Sequence, residues 1–263
     1  MRTIAICNLK GGVAKTTTAI NTAAILATDH EQRVLVVDAD SQCNCTEFLQ
    51  RDAVHPRTLS DVLRYVGADG GLYAYGGIEK TRYADIDILA ADDCLMDLDL
   101  TKVEQGTSNA TVLREMCAAL GKKSDMPGAD YYDWCIIDCP PAFNAASAAA
   151  LVAADEVVIP MKIDAFAMRG MANIMQQISN MRKINSKLKL AGILPTMWYK
   201  SQNILKAEAQ LRESSLPVFS HIRRSPKADD MTFVQEPIIF CSPYSATAID
   251  YRRFVAELIE GVQ

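Results

Sequence analysis

Ile4-Ala5-Ile6-Cys7-Asn8-Leu9-Lys10-Gly11-Gly12-Val13-Ala14-Lys15-Thr16-Thr17-Thr18 is the stretch that decides the fold. The apolar run Ile4 to Cys7 reads as a buried strand. Gly11 and Gly12 let the backbone turn tightly, and Lys15-Thr16-Thr17 opens a helical pattern. Strand, glycine loop and helix start together form an anion cradle: backbone N–H groups and the positive end of the helix dipole converge, and a lysine is added. The usual phosphate loop has glycine six residues before its lysine and again directly before it. Those places hold Leu9 and Ala14 here, and a second lysine, Lys10, stands at the loop's entrance.

Working outward, Thr16 to Ala27 reads as a helix with Ile20, Ala23, Ala24 and Ala27 on one face. Arg33 to Asp38 is a continuous apolar run closing on an acid, which suits a strand buried on both faces. Strand, helix and strand make one βαβ unit. Further along, residues 58–66 read as helix, 68–77 as a glycine- and tyrosine-rich loop, 86–89 as a short strand and 109–120 as an amphipathic helix. Tyr132 to Asp138 is another apolar strand ending in an acid, stopped by Pro140-Pro141. A helix (144–153), a strand (156–160), a long helix (166–184), a strand (188–194), a helix (204–212), a strand-like stretch (217–222) and a helix (244–259) complete the pattern. The alternation predicts a single α/β domain over 1–263 with a mostly parallel, twisted sheet and helices on both faces, as in P-loop nucleotide-binding folds.

With 263 residues, 49% hydrophobic and 22% charged, the chain can bury a full core. It shows no signal-peptide layout, and no apolar run reaches the roughly 20 residues of a membrane span, so a cytoplasmic protein is expected. The eight cysteines lack zinc-site spacing, and the three histidines stand apart from them, which favours reduced thiols over a metal centre. The net charge of −5 hides an asymmetry: residues 161–227 hold twelve Lys/Arg and three acids, +9, while the remainder carries −14. Such a separation can put a basic face on an acidic protein, although lysines can also simply solvate helix surfaces.

Phosphoryl transfer needs a phosphate cradle, a Mg²⁺ site and a group that orients water. Gly11, Gly12, Val13, Ala14, Lys15, Thr16 and Thr17 supply the cradle, with Lys15 expected on the β- and γ-phosphates. The Thr16 hydroxyl suits Mg²⁺, which prefers oxygen ligands and keeps several waters. Asp138, ending an apolar strand, fits the acid that orients the metal or its waters, and Asp38 and Asp40 are the other acids at a strand end. Ser147, Ser179 and Ser245 have no histidine in a suitable stretch, so no catalytic triad is on offer.

The sequence Lys10-Gly11-Gly12-x-x-Lys15-Thr16 resembles the deviant P-loop of the ParA/MinD family of ATPases, closest to its ParA-type members. The likeness extends over nearly the whole chain. Asp38-Ala39-Asp40-Ser41-Gln42-Cys43-Asn44-Cys45-Thr46 is similar to the family's Asp-x-Asp-Pro-Gln-Gly-Asn-x-Thr. Asp133 to Pro141 resembles its Walker B strand, Gly192 to Met197 its Gly-Val-Leu-Leu-Thr-Met, and Arg224 to Pro237 its nucleotide-edge segment. What this implies is an ATP- and Mg²⁺-dependent homodimer in which Lys10 reaches the other subunit's phosphates and Asp40 positions the hydrolytic water. Lys10, Lys15 and Asp40 would then be catalytic, Thr16, Asp38 and Asp138 would surround the metal, and Met197, Arg224 and Ser225 would join the ATP site. Family members of this kind bind DNA non-specifically when ATP-bound, on the nucleoid, and release it when a ParB-like partner stimulates hydrolysis.

Several positions depart from the pattern. Ala14 and Cys43 stand where glycine is frequent; a positive φ at Ala14 would cost about 1 kcal/mol. Ser41 replaces proline and Arg169 a common glutamate. Among expected DNA contacts, Lys200, Arg224 and Lys227 remain, while Ser201, Ser225, Tyr244 and Ala246 replace basic or amide residues. Two alternatives stay open: a MinD-like membrane-associated ATPase using the last helix, and an iron–sulfur carrier using Cys43, Cys45 or Cys139.

Overall fold

The computed structural model describes residues 1–50, 57–65, 75–98, 110–121, 131–164 and 167–261. Seven strands form one sheet: β1 (Arg2–Ile6), β2 (Val34–Asp38), β3 (Ile78–Lys80), β4 (Ile86–Leu89), β5 (Trp134–Asp138), β6 (Glu156–Lys162) and β7 (Lys189–Thr196). Their order is β3-β4-β2-β5-β1-β6-β7, with only β3 antiparallel to its neighbour. The mostly parallel character follows from the sequence, because the central runs, such as Val34–Val37 and Cys135–Ile137, are apolar on both faces.

The strand alternation sorts these residues into two cores. Ala5, Leu35, Val37, Ile137 and Ile159 pack on one side with α3 (Leu59–Arg64), α4 (Ala110–Leu120), α5 (Ala145–Ala153), α6 (Ala167–Met181) and α7 (Gln202–Glu213). Ile4, Ile6, Val36, Ile136 and Val158 pack on the other. That second side is covered by α1 (Lys15–Asp29), α2 (Asn44–Leu49), α8 (Pro226–Val234), α9 (Ile238–Cys241) and α10 (Ala246–Glu260). Helices on both faces of a parallel sheet are the doubly wound arrangement.

Several expectations are refined. β6 continues through Pro160 to Lys162 and stays paired with β7 as far as Lys162 opposite Thr196. Residues 217–222 do not form a full strand: they run beside β7 and touch it through an isolated parallel bridge, Ile193 with Val218. A second bridge, Trp198 with Arg223, joins the two chain segments just beyond. The long helix ends at Met181 rather than 184. The short elements α2, α8, α9, β3 and a 3₁₀ turn at Asp93–Asp97 give too little periodicity to be read from sequence. Most of the expected 68–77 loop lies outside the described residues. In α10, Tyr251, Phe254, Val255 and Leu258 are spent on the core, so the apolar side of that helix packs on the sheet. Among the described residues no helix is long and apolar enough to cross a membrane.

Candidate functional site

All six parallel strands run the same way, so their C-terminal ends bring distant residues to one edge of the sheet. β1 lies in the middle, between β5 and β6, and the glycine loop leaves from its end. Asn8 ties the loop to the sheet: its Nδ2 donates to the Pro160 carbonyl at 2.7 Å, and its Oδ1 accepts from the Lys10 backbone N–H at 3.0 Å. Thr196 Oγ1 donates to the Val13 carbonyl at 3.1 Å, and Lys15 Nζ folds back to the Lys10 carbonyl at 3.2 Å. Gly12 and Ala14 both have φ of +66°, the left-handed turn that aims successive N–H groups inward. The α1 helix starts without a side-chain cap and without an acid in its first turn. Its leading N–H groups are thus left for an anion.

The three acids sit differently. Asp38 is buried, and both its oxygens accept protein hydrogen bonds: Oδ1 from the Asp40 N–H at 3.0 Å, Oδ2 from the Thr46 N–H and hydroxyl at 2.8 Å each. Its carboxyl is pushed up to about 6 by burial, the Thr46 and Asp40 donors offsetting part of the rise and the Asp40 charge adding to it. Asp38 therefore organises the 38–46 loop. Asp40, at that loop's bend, accepts from the Gln42 N–H at 3.0 Å. The loop passes through a left-handed Cys43 with φ of +56°.

Asp138 is completely buried, and neither of its carboxylate oxygens has a hydrogen-bond partner among the described residues. Burial and the Asp38 charge raise it well above the ordinary carboxyl range, while the Thr16 hydroxyl and Lys15 ammonium pull the other way. A buried carboxylate with spare oxygens beside a threonine hydroxyl is a fitting donor set for a hard divalent cation. The described residues contain no group of three or more His, Cys, Asp or Glu placed to hold a metal. A cation here would thus rely on the Thr16 and Asp138 oxygens, water and a phosphate, which is the habit of Mg²⁺ rather than zinc. Of the cysteines that an iron–sulfur cluster would need, Cys45 and Cys139 are buried.

Lys10 is held within its own chain, its ammonium paired with the Asp164 carboxylate in the stretch after β6. Beside the helix start lies a cavity of about 340 Å³, bounded by Ala14, Thr17, Met197, Arg224, Ser225 and Tyr251. Thus Met197, Arg224 and Ser225, expected from resemblance alone, share one cavity with the cradle. Lys162, Thr247 and Tyr251 also border it and escaped the sequence reading. The Tyr251 hydroxyl, on the last helix, lies 3.3 Å from Thr18 Oγ1 at the back of the cradle.

The expected DNA contacts are exposed: Lys200, Arg224 and Lys227. Lys227 Nζ is engaged by Asp230 at 3.0 Å. The fold also divides the basic segment. Glu156 pairs with Lys189 at one end of β6–β7 and Lys162 with Thr196 at the other. Arg182, Lys183, Lys187 and Lys189 therefore lie at the N-terminal edge of the sheet, about 25 Å from Lys200 by the rise of the strand.

A family model described as an AAA domain matches residues 1–190. The ParA chromosome partitioning protein of Caulobacter vibrioides is 34% identical over 212 residues, covering 80% of this chain and 74% of that protein. The chain belongs to the ParA/MinD family of P-loop ATPases. The chromosome-partitioning ATPase Soj of Thermus thermophilus is 31% identical over 268 residues, 100% of this chain and 97% of its own length. Among solved structures, Cyanothece McdA shares the ParA/MinD fold at a TM-score of 0.81 with 23% identity, covering 98% of this chain and 99% of that one. Cobyrinic acid a,c-diamide synthase of Mycobacterium smegmatis, solved with an ATP analogue and magnesium, matches at 0.76 and 28% identity, over 99% and 95% of the two chains.

Proposed function

We propose that this ParA/MinD-type ATPase binds Mg-ATP at the 7–18 cradle and uses it as a switch for partitioning DNA. In this reading it dimerises in the ATP state, holds DNA non-specifically, and lets go when a ParB-like partner stimulates hydrolysis. The observation that carries the nucleotide site is the buried, unpartnered Asp138 carboxylate beside Thr16 and Lys15, with a cavity of about 340 Å³ alongside. The size falls within the range of small-molecule sites. A bound Mg²⁺ would supply charge neutralisation at the phosphates, held through Thr16 and Asp138.

The chain's own residues supply the rest. The N–H groups turned inward by Gly12 and Ala14 bind phosphate oxygens, and Lys15 adds a cation to them. Asp40, at the bend of the 38–46 loop, orients the attacking water. Lys10 changes partner: it leaves Asp164 and faces the phosphates of a second subunit. Arg224 and Ser225 hold the nucleotide's far edge, with Met197 against it. Lys200, Arg224 and Lys227 are the DNA contacts.

The test compares duplex DNA binding with ATP, ADP and no nucleotide for the unsubstituted protein, Lys10→Ala and Asp40→Ala. Asp40→Ala should bind ATP and DNA but hydrolyse poorly, and Lys10→Ala should lose the ATP-dependent dimer. ATP-loaded protein that binds DNA no better than the nucleotide-free form at low salt would remove the DNA part of the proposal. Rapid hydrolysis by Asp40→Ala would move the water-positioning role elsewhere, with Asp38 next in line.

A further inference from the structure

Behind one wall of the cavity, Trp198, His221 and Glu208 form a polar cluster that the proposed reaction does not use. The Trp198 indole lies flat on the His221 imidazole, centroids 3.9 Å apart and planes 3° apart. Trp198 Nε1 donates to Glu208 Oε2 at 2.7 Å, and Glu208 Oε1 is 3.1 Å from His221 Nδ1. One turn further along α7, Arg212 donates to the same Oε1 from Nε at 3.2 Å and Nη2 at 2.9 Å. It also donates to the Val218 and Phe219 carbonyls at 3.2 and 3.0 Å. Burial alone would raise the Glu208 carboxyl, but Arg212, His221 and Trp198 outweigh it and hold it below the ordinary range. An ionised carboxylate thus joins α7 to the end of β7 and to the 217–224 segment.

The cluster lies directly behind residues that line the cavity. The Trp198 N–H donates to the Ile222 carbonyl at 2.9 Å, and the Arg224 N–H donates to the Trp198 carbonyl at 2.8 Å. Met197 precedes Trp198 in a left-handed conformation, φ +51°, that only a well-braced chain keeps without glycine. Met197 and Arg224 both border the cavity, and the ladder between them is anchored underneath by Glu208. Charge-assisted bonds that converge on one nearly buried carboxylate, as here on Glu208, fix geometry better than isolated exposed ion pairs do.

We propose that Glu208 is a positioning residue for nucleotide binding: acting through Trp198 and His221, it sets the separation of the Met197 and Arg224 walls. This rests on the reading of the cavity as the nucleotide's. Glu208 touches no ligand itself, so its effect falls on affinity and not on the chemical step.

The experiment measures Mg-ADP affinity by calorimetry, together with kcat and KM for ATP. It compares the unsubstituted protein, Glu208→Gln, Trp198→Phe and the double variant. Trp198→Phe keeps one aromatic ring against His221 and removes the indole N–H together with the second ring. It breaks the bond to Glu208 from the other side and serves should Glu208→Gln fail to fold. Expected are a loss of ADP affinity of about tenfold in each single variant, a matching rise in KM, kcat within about twofold, and no further loss in the double variant, since one network is being broken. Unchanged ADP affinity in the single variants would overturn the inference. So would a fall in kcat at unchanged KM, or additive losses in the double variant. No ADP binding by the unsubstituted protein would overturn the nucleotide reading and this inference with it.

Discussion

Asp138 shows most sharply how single residues at this edge trade stability for binding. Its carboxyl is buried with neither oxygen hydrogen-bonded among the described residues. Burial with the Asp38 charge raises it well above the ordinary range, so ionising it is costly unless a cation compensates. Asp138→Asn should therefore leave the ligand-free protein about as stable as the unsubstituted chain, and remove the rise in thermal midpoint expected of the unsubstituted chain with Mg-ADP. Melting curves with and without Mg-ADP check both halves. A destabilised Asp138→Asn protein would show that the carboxylate is structurally satisfied. Lys10 illustrates the same trade in reverse: its ammonium is occupied by Asp164. Asp164→Asn should free it and let the proposed ATP-dependent dimer form at lower protein concentration, which analytical ultracentrifugation reads. The acids and lysines were legible in the sequence because each ends an apolar strand or borders the glycines. That Asp38 is committed to Thr46 and Lys10 to Asp164 was not, since both pairings depend on loops whose path a sequence pattern does not encode.

Among elements, the glycine loop and the 38–46 loop each carry a left-handed non-glycine residue, Ala14 and Cys43. Both depart from the pattern of the family that the sequence resembles, and both become backbone strain in the fold. Ala14→Gly should raise stability by about 1 kcal/mol, and Cys43→Gly should act in the same direction, measured as a shift in the urea midpoint with unchanged slope. Strand and helix positions were readable wherever the apolar period ran long, as in β2, β5 and α1. Residues 217–222, strand-like in composition, run parallel to β7 and exchange backbone hydrogen bonds with Ile193 and Pro195, but the pairing is too broken to make a full strand. The Trp198–His221–Glu208 cluster was hidden. Its members are spread over three elements, and nothing in their spacing announces that they meet.

For the whole molecule, the sheet decides which charges can act together. The basic stretch 161–227 could have supplied one face, but the strands carry its lysines to opposite edges. DNA that responds to nucleotide should touch the edge holding Lys200 and Arg224. Lys200→Ala should lower the dependence of log affinity on log salt by about 0.9. Lys227→Ala should lower it by less, because Asp230 already engages that ammonium. Replacing Lys183, Lys187 and Lys189 by alanine should leave the nucleotide-dependent part of binding intact. Filter binding across a salt series separates these outcomes. The overall architecture was the most legible feature of all, since alternating buried strands and amphipathic helices admit few other packings.

The contact between Thr18 and Tyr251 joins residues 233 positions apart in the chain, and it carries a consequence for synthesis. The cradle's sequence emerges from the ribosome early, but the wall behind it is supplied by α10, made long afterwards. A growing chain that has completed only β1 and α1 possesses the glycine loop without its backing or its cavity. Nucleotide capture should therefore switch on late and abruptly during translation, so that an unfinished chain is barred from entering the ATP cycle. Stalled nascent chains of increasing length, probed with a photoreactive ATP analogue, should label only once α10 has cleared the exit tunnel.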